Sequence, residues 1–349
     1  MSVDRFPRPR IGFLGTGWIG RSRMEAIVGT GVVETVALCD PDDSCAQAAL
    51  VLVPEARRVG SFGDLLAMGL DGIVIATPSA AHAAQAIAAL DQGCAVFCQK
   101  PLATSAQDAA AVVGAARRAD RLLAVDFSYR RTAALSALRG LLREGALGTV
   151  FALDLVFHNA YGPDKPWFYD AALSGGGCMM DLGCHLIDAA LWLMDHPPVE
   201  RIEASLIAGG RPATDGAVED HALATLHFPA GVTARIACSW NLHAGADAEI
   251  ALRVYGTQGG AMLRNVGGSF LEFELVRARG THAERIVSPP DAWSGRLAAD
   301  WARRLAVEPA FDPACEGLVA VSEAIDRIYR VGRARSSQRP SGPRDHATA

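Results

Sequence analysis

The sequence predicts an α/β protein whose N-terminal part is a doubly wound parallel sheet. Three observations carry that prediction. Short apolar runs alternate with Ala-rich helical segments over the first 125 or so residues, and G-x-G-x-x-G follows the first run. After about residue 145 the apolar runs become longer and partly alternating. Strands apolar throughout are buried on both faces, as in parallel sheets, and repeated strand–helix units imply right-handed crossovers.

The predicted strands of the first part are residues 10–14, 33–40, 72–76, 95–98 and 122–127, and its helices 18–28, 42–53, 80–92 and 104–119. In the second part, residues 149–157 read as a strand. A loop rich in Pro, Gly and aromatics follows, then a glycine run and a helix over 178–194. Further strands are expected at 200–208, 221–227, 233–240, 248–255 and 269–277. Their alternation suggests an antiparallel sheet with one covered face. Helices at 291–305 and 315–331 close the fold, and the polar stretch 333–349 reads as a disordered tail.

A chain of 349 residues is long enough for two domains and a large core. Net charge is −5, with 33 basic against 38 acidic residues, which argues against a nucleic-acid surface. No apolar run approaches the ~18 residues of a membrane helix, and residues 1–10 contain no apolar signal segment. A cytoplasmic location is expected. The eight cysteines form no C-x-x-C pair and read as reduced, small apolar side chains.

Gly15-Thr16-Gly17-Trp18-Ile19-Gly20 lies between a strand and a helix, and an acid, Asp40, stands 20 residues beyond the last glycine. This is the dinucleotide fingerprint in its proper setting. Gly15 permits the turn, Gly17 the approach of backbone to pyrophosphate, and Gly20 close helix–strand packing. The helix opening at Trp18 and Ile19 offers free N–H groups to the phosphates. Asp40 would accept from ribose hydroxyls and repel a 2′-phosphate, which selects NAD over NADP as cofactor.

Lys100, in Cys98-Gln99-Lys100-Pro101, sits at a strand end facing the crevice, where its ammonium can stabilise an alkoxide. Asp181 and His185 are four apart on the predicted helix, share a face, and stand among Met, Leu, Cys and Gly. The imidazole can take a proton from a carbinol, with the carboxylate supporting it or a substrate hydroxyl. Thr77, Pro78 and His82 follow another strand end. Tyr129, Arg130, His158, Lys165 and Trp167 are candidate substrate contacts, and Trp293 a further one. The spacing of Cys178, Asp181, Cys184 and His185 does not suit zinc, so no metal is expected.

Together these motifs resemble the Gfo/Idh/MocA family of glucose–fructose oxidoreductases and inositol dehydrogenases, over about residues 10–331. The resemblance implies a Rossmann domain over 1–128, and a substrate-binding and oligomerisation domain over 129–332 with a large open antiparallel sheet. It implies a homodimer or homotetramer and a sugar or polyol substrate. It matches Lys100, Asp181 and His185 to the catalytic set, and Thr77, Pro78, His82 and Gln99 to the cofactor pocket. Gln99 departs from the family's Glu and loses its charge. The expected activity is interconversion of a secondary alcohol and a ketone on a sugar, glycoside or inositol-like ring. Two other readings stay open, an NAD-dependent glycosidase using transient oxidation and a non-catalytic NAD sensor. Asp40→Ala should weaken NAD and narrow its preference over NADP. Titrating both cofactors checks this, and a native preference for NADP would contradict it.

Overall fold

A late helix packs into the core of the first sheet. The computed structural model describes residues 8–337. Its first part runs β1 (Arg10–Leu14), α1 (Trp18–Val28), β2 (Glu34–Cys39), α2 (Asp43–Leu50), β3 (Arg57–Arg58), α3 (Phe62–Leu66), β4 (Gly72–Ile75), α4 (Ser79–Asp91), β5 (Ala95–Cys98), α5 (Ala106–Ala119) and β6 (Leu123–Val125). The six strands are parallel in the order β3-β2-β1-β4-β5-β6. Chain direction across the sheet reverses between β1 and β4, and the crevice beyond their carboxyl ends is the ligand position of such sheets. Asp42, Ser61 and Ser105 cap α2, α3 and α5 through their side chains.

The second part continues with α6 (Ala133–Arg143), β7 (Val150–Asn159), α7 (Ala171–Ser174), a π turn over Met179–Gly183 and α8 (Cys184–Leu193). Then come β8 (Arg201–Ala208), β9 (Arg211–Pro212), β10 (His221–His227), β11 (Thr233–Ser239), β12 (Ala248–Gly256), β13 (Gly260–Asn265), β14 (Phe273–Arg279) and β15 (His282–Val287). Helices α9 (Arg296–Leu305) and α10 (Gly317–Ser337) follow. The nine strands form one sheet, β15-β14-β13-β12-β7-β11-β10-β8-β9. Leu155, Phe157, Ala224, Ile236, Leu252 and Leu263 are buried on the face covered by α6, α8 and α10. Leu223 and Tyr255 stand exposed on the other.

The chain then returns to the first sheet. Ala298, Trp301, Ala302 and Leu305 of α9 share one buried cluster with Ile11, Phe13, Leu38, Val74 and Phe97. Trp301 lies 5.8 Å from the Phe97 ring.

The second sheet is mostly antiparallel, as expected, with one parallel pair between β7 and β11. The helical segment between β7 and β8 lets β8 run in the direction of β7, and β11 takes that direction again through the antiparallel β10. Several element boundaries need correction. The helix at 178–194 opens in a π turn. The helix at 291–305 begins at Arg296, after Gly295 in the left-handed region. Residues 333–337 belong to α10. The Arg-rich stretch is a good helix former, and α10 lies along β8. Residues 338–349, the rest of the expected tail, lie outside the described residues. Helix α6 is an element the sequence patterns did not predict; Thr132 caps it, and Ala134, Leu135 and Leu138 are buried.

Trp301 is 3% exposed in a sheet core. Trp301→Ala should therefore cost about 3–5 kcal/mol, read as a lowered denaturation midpoint.

Candidate active site

The glycine turn after β1 is shaped by contact. A Cβ on Gly15, whose φ is +86°, would meet the Ala76 carbonyl oxygen at 2.4 Å, and one on Gly20 would meet the Gly15 oxygen at 2.3 Å. Gly17 has open space at the same position. Asp40, at the end of β2, braces this turn. Its Oδ2 accepts from Thr16 N at 2.6 Å and Thr16 Oγ1 at 3.1 Å, and its Oδ1 from Asp42 N at 2.9 Å. A carboxylate has about four acceptor directions, so one on Oδ1 remains for a ribose hydroxyl. These residues fit a dinucleotide: a turn that only glycine can make, open room above Gly17, and an acid beside it.

A cleft of about 570 Å3 opens from this turn. The first domain contributes Gly17, Trp18, Ile19, Thr77, Pro78, His82, Gln99 and Lys100 to its walls. The second contributes Lys165, Trp167, Asp181, His185 and Trp293, with Tyr129 at the junction. His82 bridges two loops, its ring nitrogens 2.7 Å from the carbonyl oxygens of Pro101 and Thr77. Burial outweighs those two carbonyls, and its pKa lies below the ordinary value.

Lys100 and Asp181 meet across the cleft. Lys100 Nζ donates to Asp181 Oδ1 at 2.6 Å and to the Asp181 carbonyl at 2.9 Å. Trp240 Nε1 donates to Asp181 Oδ2 at 3.1 Å. Burial opposes the Lys100 charge, but Asp181, Cys184 and Asp126 outweigh it, and the lysine pKa is raised. The ammonium is therefore charged in a largely dry wall.

His185 stands on the first turn of α8, boxed by aromatic edges. Its ring centroid lies 4.9 Å from that of Tyr129 and 6.1 Å from that of Phe127. Nδ1 is buried without a hydrogen-bond partner among the described residues. Burial, then Lys100, then Arg23 push its pKa well below 6.5, so the ring is neutral at pH 7.

The π turn is held from behind by Glu219, which is fully buried. It accepts from Gly177 N at 3.0 Å, Met179 N at 2.9 Å and Tyr329 Oη at 2.9 Å. A Cβ on Gly177 would sit 1.9 Å from the Glu219 carbonyl oxygen, which explains a glycine there.

Three site expectations are corrected. Asp181 and His185 share the wall without a hydrogen bond between them; the Asp181 carboxylate accepts from Lys100 and Trp240 instead. His158 lies on the outer face of the sheet, its Nδ1 2.8 Å from Ser239 Oγ and its ring stacked with His221. Alternation decides this, since its neighbour Phe157 faces inward against α8. Arg130 is engaged by Asp188, Nε to Oδ2 at 2.8 Å, and packs over Phe127 and Trp192. It is a structural ion pair outside the cleft wall. Sequence reasoning missed Arg23, Asp126, Trp240 and Glu219. Asp126 ends a parallel strand, and that position was the signal available.

A two-domain dinucleotide-binding oxidoreductase is the class that this fold and cleft define. Residues 9–127 match the oxidoreductase family's NAD-binding Rossmann fold, and residues 135–262 match the GFO/IDH/MocA C-terminal domain. The chain belongs to the Gfo/Idh/MocA oxidoreductase family. It is 32% identical over 323 residues to an inositol 2-dehydrogenase of Acidiphilium cryptum, covering 83% of this chain and 90% of that one. It is 30% identical to a D-apiose dehydrogenase of Paraburkholderia graminis, covering 80% and 73%. The match to a 1,5-anhydro-D-fructose reductase of Ensifer adhaerens, 32% identical, covers 56% of this chain and only 58% of that protein. The fold agrees with levoglucosan dehydrogenase in complex with NADH and levoglucosan at TM-score 0.78 and 20% identity, covering 94% and 98%. It agrees equally with KijD10, a 3-ketoreductase from Actinomadura kijaniata, at TM-score 0.80 and 21% identity, covering 93% and 98%.

Because Lys100 holds the His185 pKa down, Lys100→Met should raise it. Magnetic resonance of ring-labelled histidine should find His185 uncharged at pH 6.5 in the native protein, where a free imidazole is half protonated. Its titration midpoint should move upward in the variant.

Proposed function

We propose that the protein interconverts a secondary alcohol and a ketone on a sugar, glycoside or inositol-like ring, with NAD(H) as redox partner. The observation that carries this reading is the contact of Lys100 from the Rossmann half with Asp181 from the other half, beside a neutral His185, in one cleft. Bound NAD supplies the hydride acceptor, and NADH the donor. His185 takes the carbinol proton, a task that requires the uncharged ring. Nδ1 is buried, so Nε2 is the nitrogen that meets substrate. The Lys100 ammonium donates to the reacting oxygen and offsets the negative charge it gains. Asp181 keeps that ammonium charged and aimed, with Trp240 fixing the carboxylate in turn.

Lys165 and Trp167 are the proposed substrate contacts on the loop between β7 and α7, with Tyr129 and Trp293 forming the aromatic floor. Tyr129 and Trp293 lie 5.0 Å apart. Polyhydroxylated rings suit such a mixture of aromatic faces and polar tips. The named relatives, dehydrogenases of inositol and D-apiose and a reductase of 1,5-anhydro-D-fructose, support that substrate class. The same reading includes a homodimer or homotetramer joined through the outer sheet face that carries Leu223 and Tyr255. It also includes a cytoplasmic location. Among the described residues no helix is long and apolar enough to cross a membrane.

The test is a panel of sugars, glycosides and inositols with NAD, and of ketoses with NADH, followed by nicotinamide absorbance. Turnover should fall about 10²–10⁴-fold in His185→Ala while NADH affinity holds. Undiminished turnover in that variant, or none on any ring in the native enzyme, would overturn the reading. In the native enzyme, the acid limb of kcat/KM should fall below pH 6.5, because the His185 pKa is depressed.

A further inference from the structure

One carboxylate in the cleft wall has no part in the proton and hydride steps. Asp126 follows β6 and is 1% exposed. Its Oδ2 accepts from Arg23 Nε at 2.6 Å and from Gln99 Nε2 at 2.7 Å. Its Oδ1 is buried and has no partner among the described residues. Arg23 comes from α1 and Gln99 from the end of β5, so two elements grip the carboxylate by one oxygen and leave the other unsatisfied. All three residues line the same cleft as Lys100 and His185. Buried acceptors are almost always paired, so a lone one asks for a donor from outside the chain.

Strand order says which donor. Asp40 ends β2, the glycine turn ends β1, and Asp126 ends β6, three places along the sheet on the side away from Asp40. A dinucleotide with its adenosine at β2 and its pyrophosphate at β1 sends its other half across β4 toward β5 and β6. The Gln99–Asp126 contact also returns a negative charge to the place where Gln99 has none.

We propose that Asp126 Oδ1 accepts a hydrogen bond from the nicotinamide riboside half of NAD(H), from its carboxamide N–H or a ribose hydroxyl. This rests on the NAD-dependent reading above and adds a cofactor-binding residue to it. In Asp126→Asn, the amide oxygen turns to Arg23 and Gln99, both donors. The amide N–H2 then stands where Oδ1 is now: it meets a carboxamide N–H with a donor, and it offers a ribose hydroxyl a neutral donor in place of a charged acceptor.

The experiment is a set of binding titrations with NADH, ADP-ribose and ADP on the native protein and on Asp126→Asn. Loss of a charge-assisted hydrogen bond should raise the NADH Kd on the order of tenfold to a hundredfold. ADP, which stops short of β6, should bind unchanged. Equal weakening of ADP-ribose assigns the donor to the ribose; ADP-ribose left unaffected assigns it to the carboxamide. Both outcomes support the proposal. The double variant Arg23→Met with Asp126→Leu removes the buried pair together, a change often tolerated. It should show the same selective loss, and it keeps the test open if the single variant does not fold. An NADH Kd unchanged in both variants, or NADH and ADP weakened by the same factor, overturns the proposal. A native protein that binds no NADH overturns the NAD-dependent reading itself, a separate result.

Discussion

The ion pair between Lys100 and Asp181 is the constraint on which the site depends. It joins the end of a Rossmann strand to the π turn of the second domain, and it contributes to the charge state of the groups around it. A partly buried ammonium persists only with a close carboxylate, and Asp181 supplies both a side-chain and a main-chain oxygen. Burial first, and then that charge, push the imidazole of His185 toward neutrality. One contact thus sets a charged ammonium beside an uncharged ring.

Behind this pair lies a supporting layer that the chemistry never touches. Glu219 ties the start of the π turn to α10 through Tyr329. Trp240 pins the second oxygen of Asp181, and the rings of Phe127 and Tyr129 fix the imidazole plane. Positions of reactive groups must hold to a fraction of an ångström, and packing of this kind provides it.

The Rossmann half was legible because each of its signals is local. Apolar runs, the glycine fingerprint and the acid at Asp40 all declare themselves within one strand–helix unit. Lys100, Asp181 and His185 were legible as residues, but their pairing was not. Spacing of four suggested that Asp181 serves His185, whereas a lysine 81 positions away takes its Oδ1. The π turn that opens the helix has no period of its own in the sequence. His158 failed for a simpler reason: the parity of one strand decides which face a side chain takes, and a run ending in Phe157-His158-Asn159 does not declare its parity. Short edge strands such as β9 and β15 carry too little apolar pattern to be seen.

The seating of α9 in the core of the first sheet bears on how the chain is made. Trp301 and Leu305 pack against strands encoded about two to three hundred residues earlier. A nascent chain leaving the ribosome must therefore hold its dinucleotide sheet with one hydrophobic flank bare until α9 has emerged. Closure of that flank is a contact of long sequence separation, the kind that slows folding and exposes apolar surface in the meantime. The two halves of this molecule are bound to each other in biogenesis as well as across the cleft.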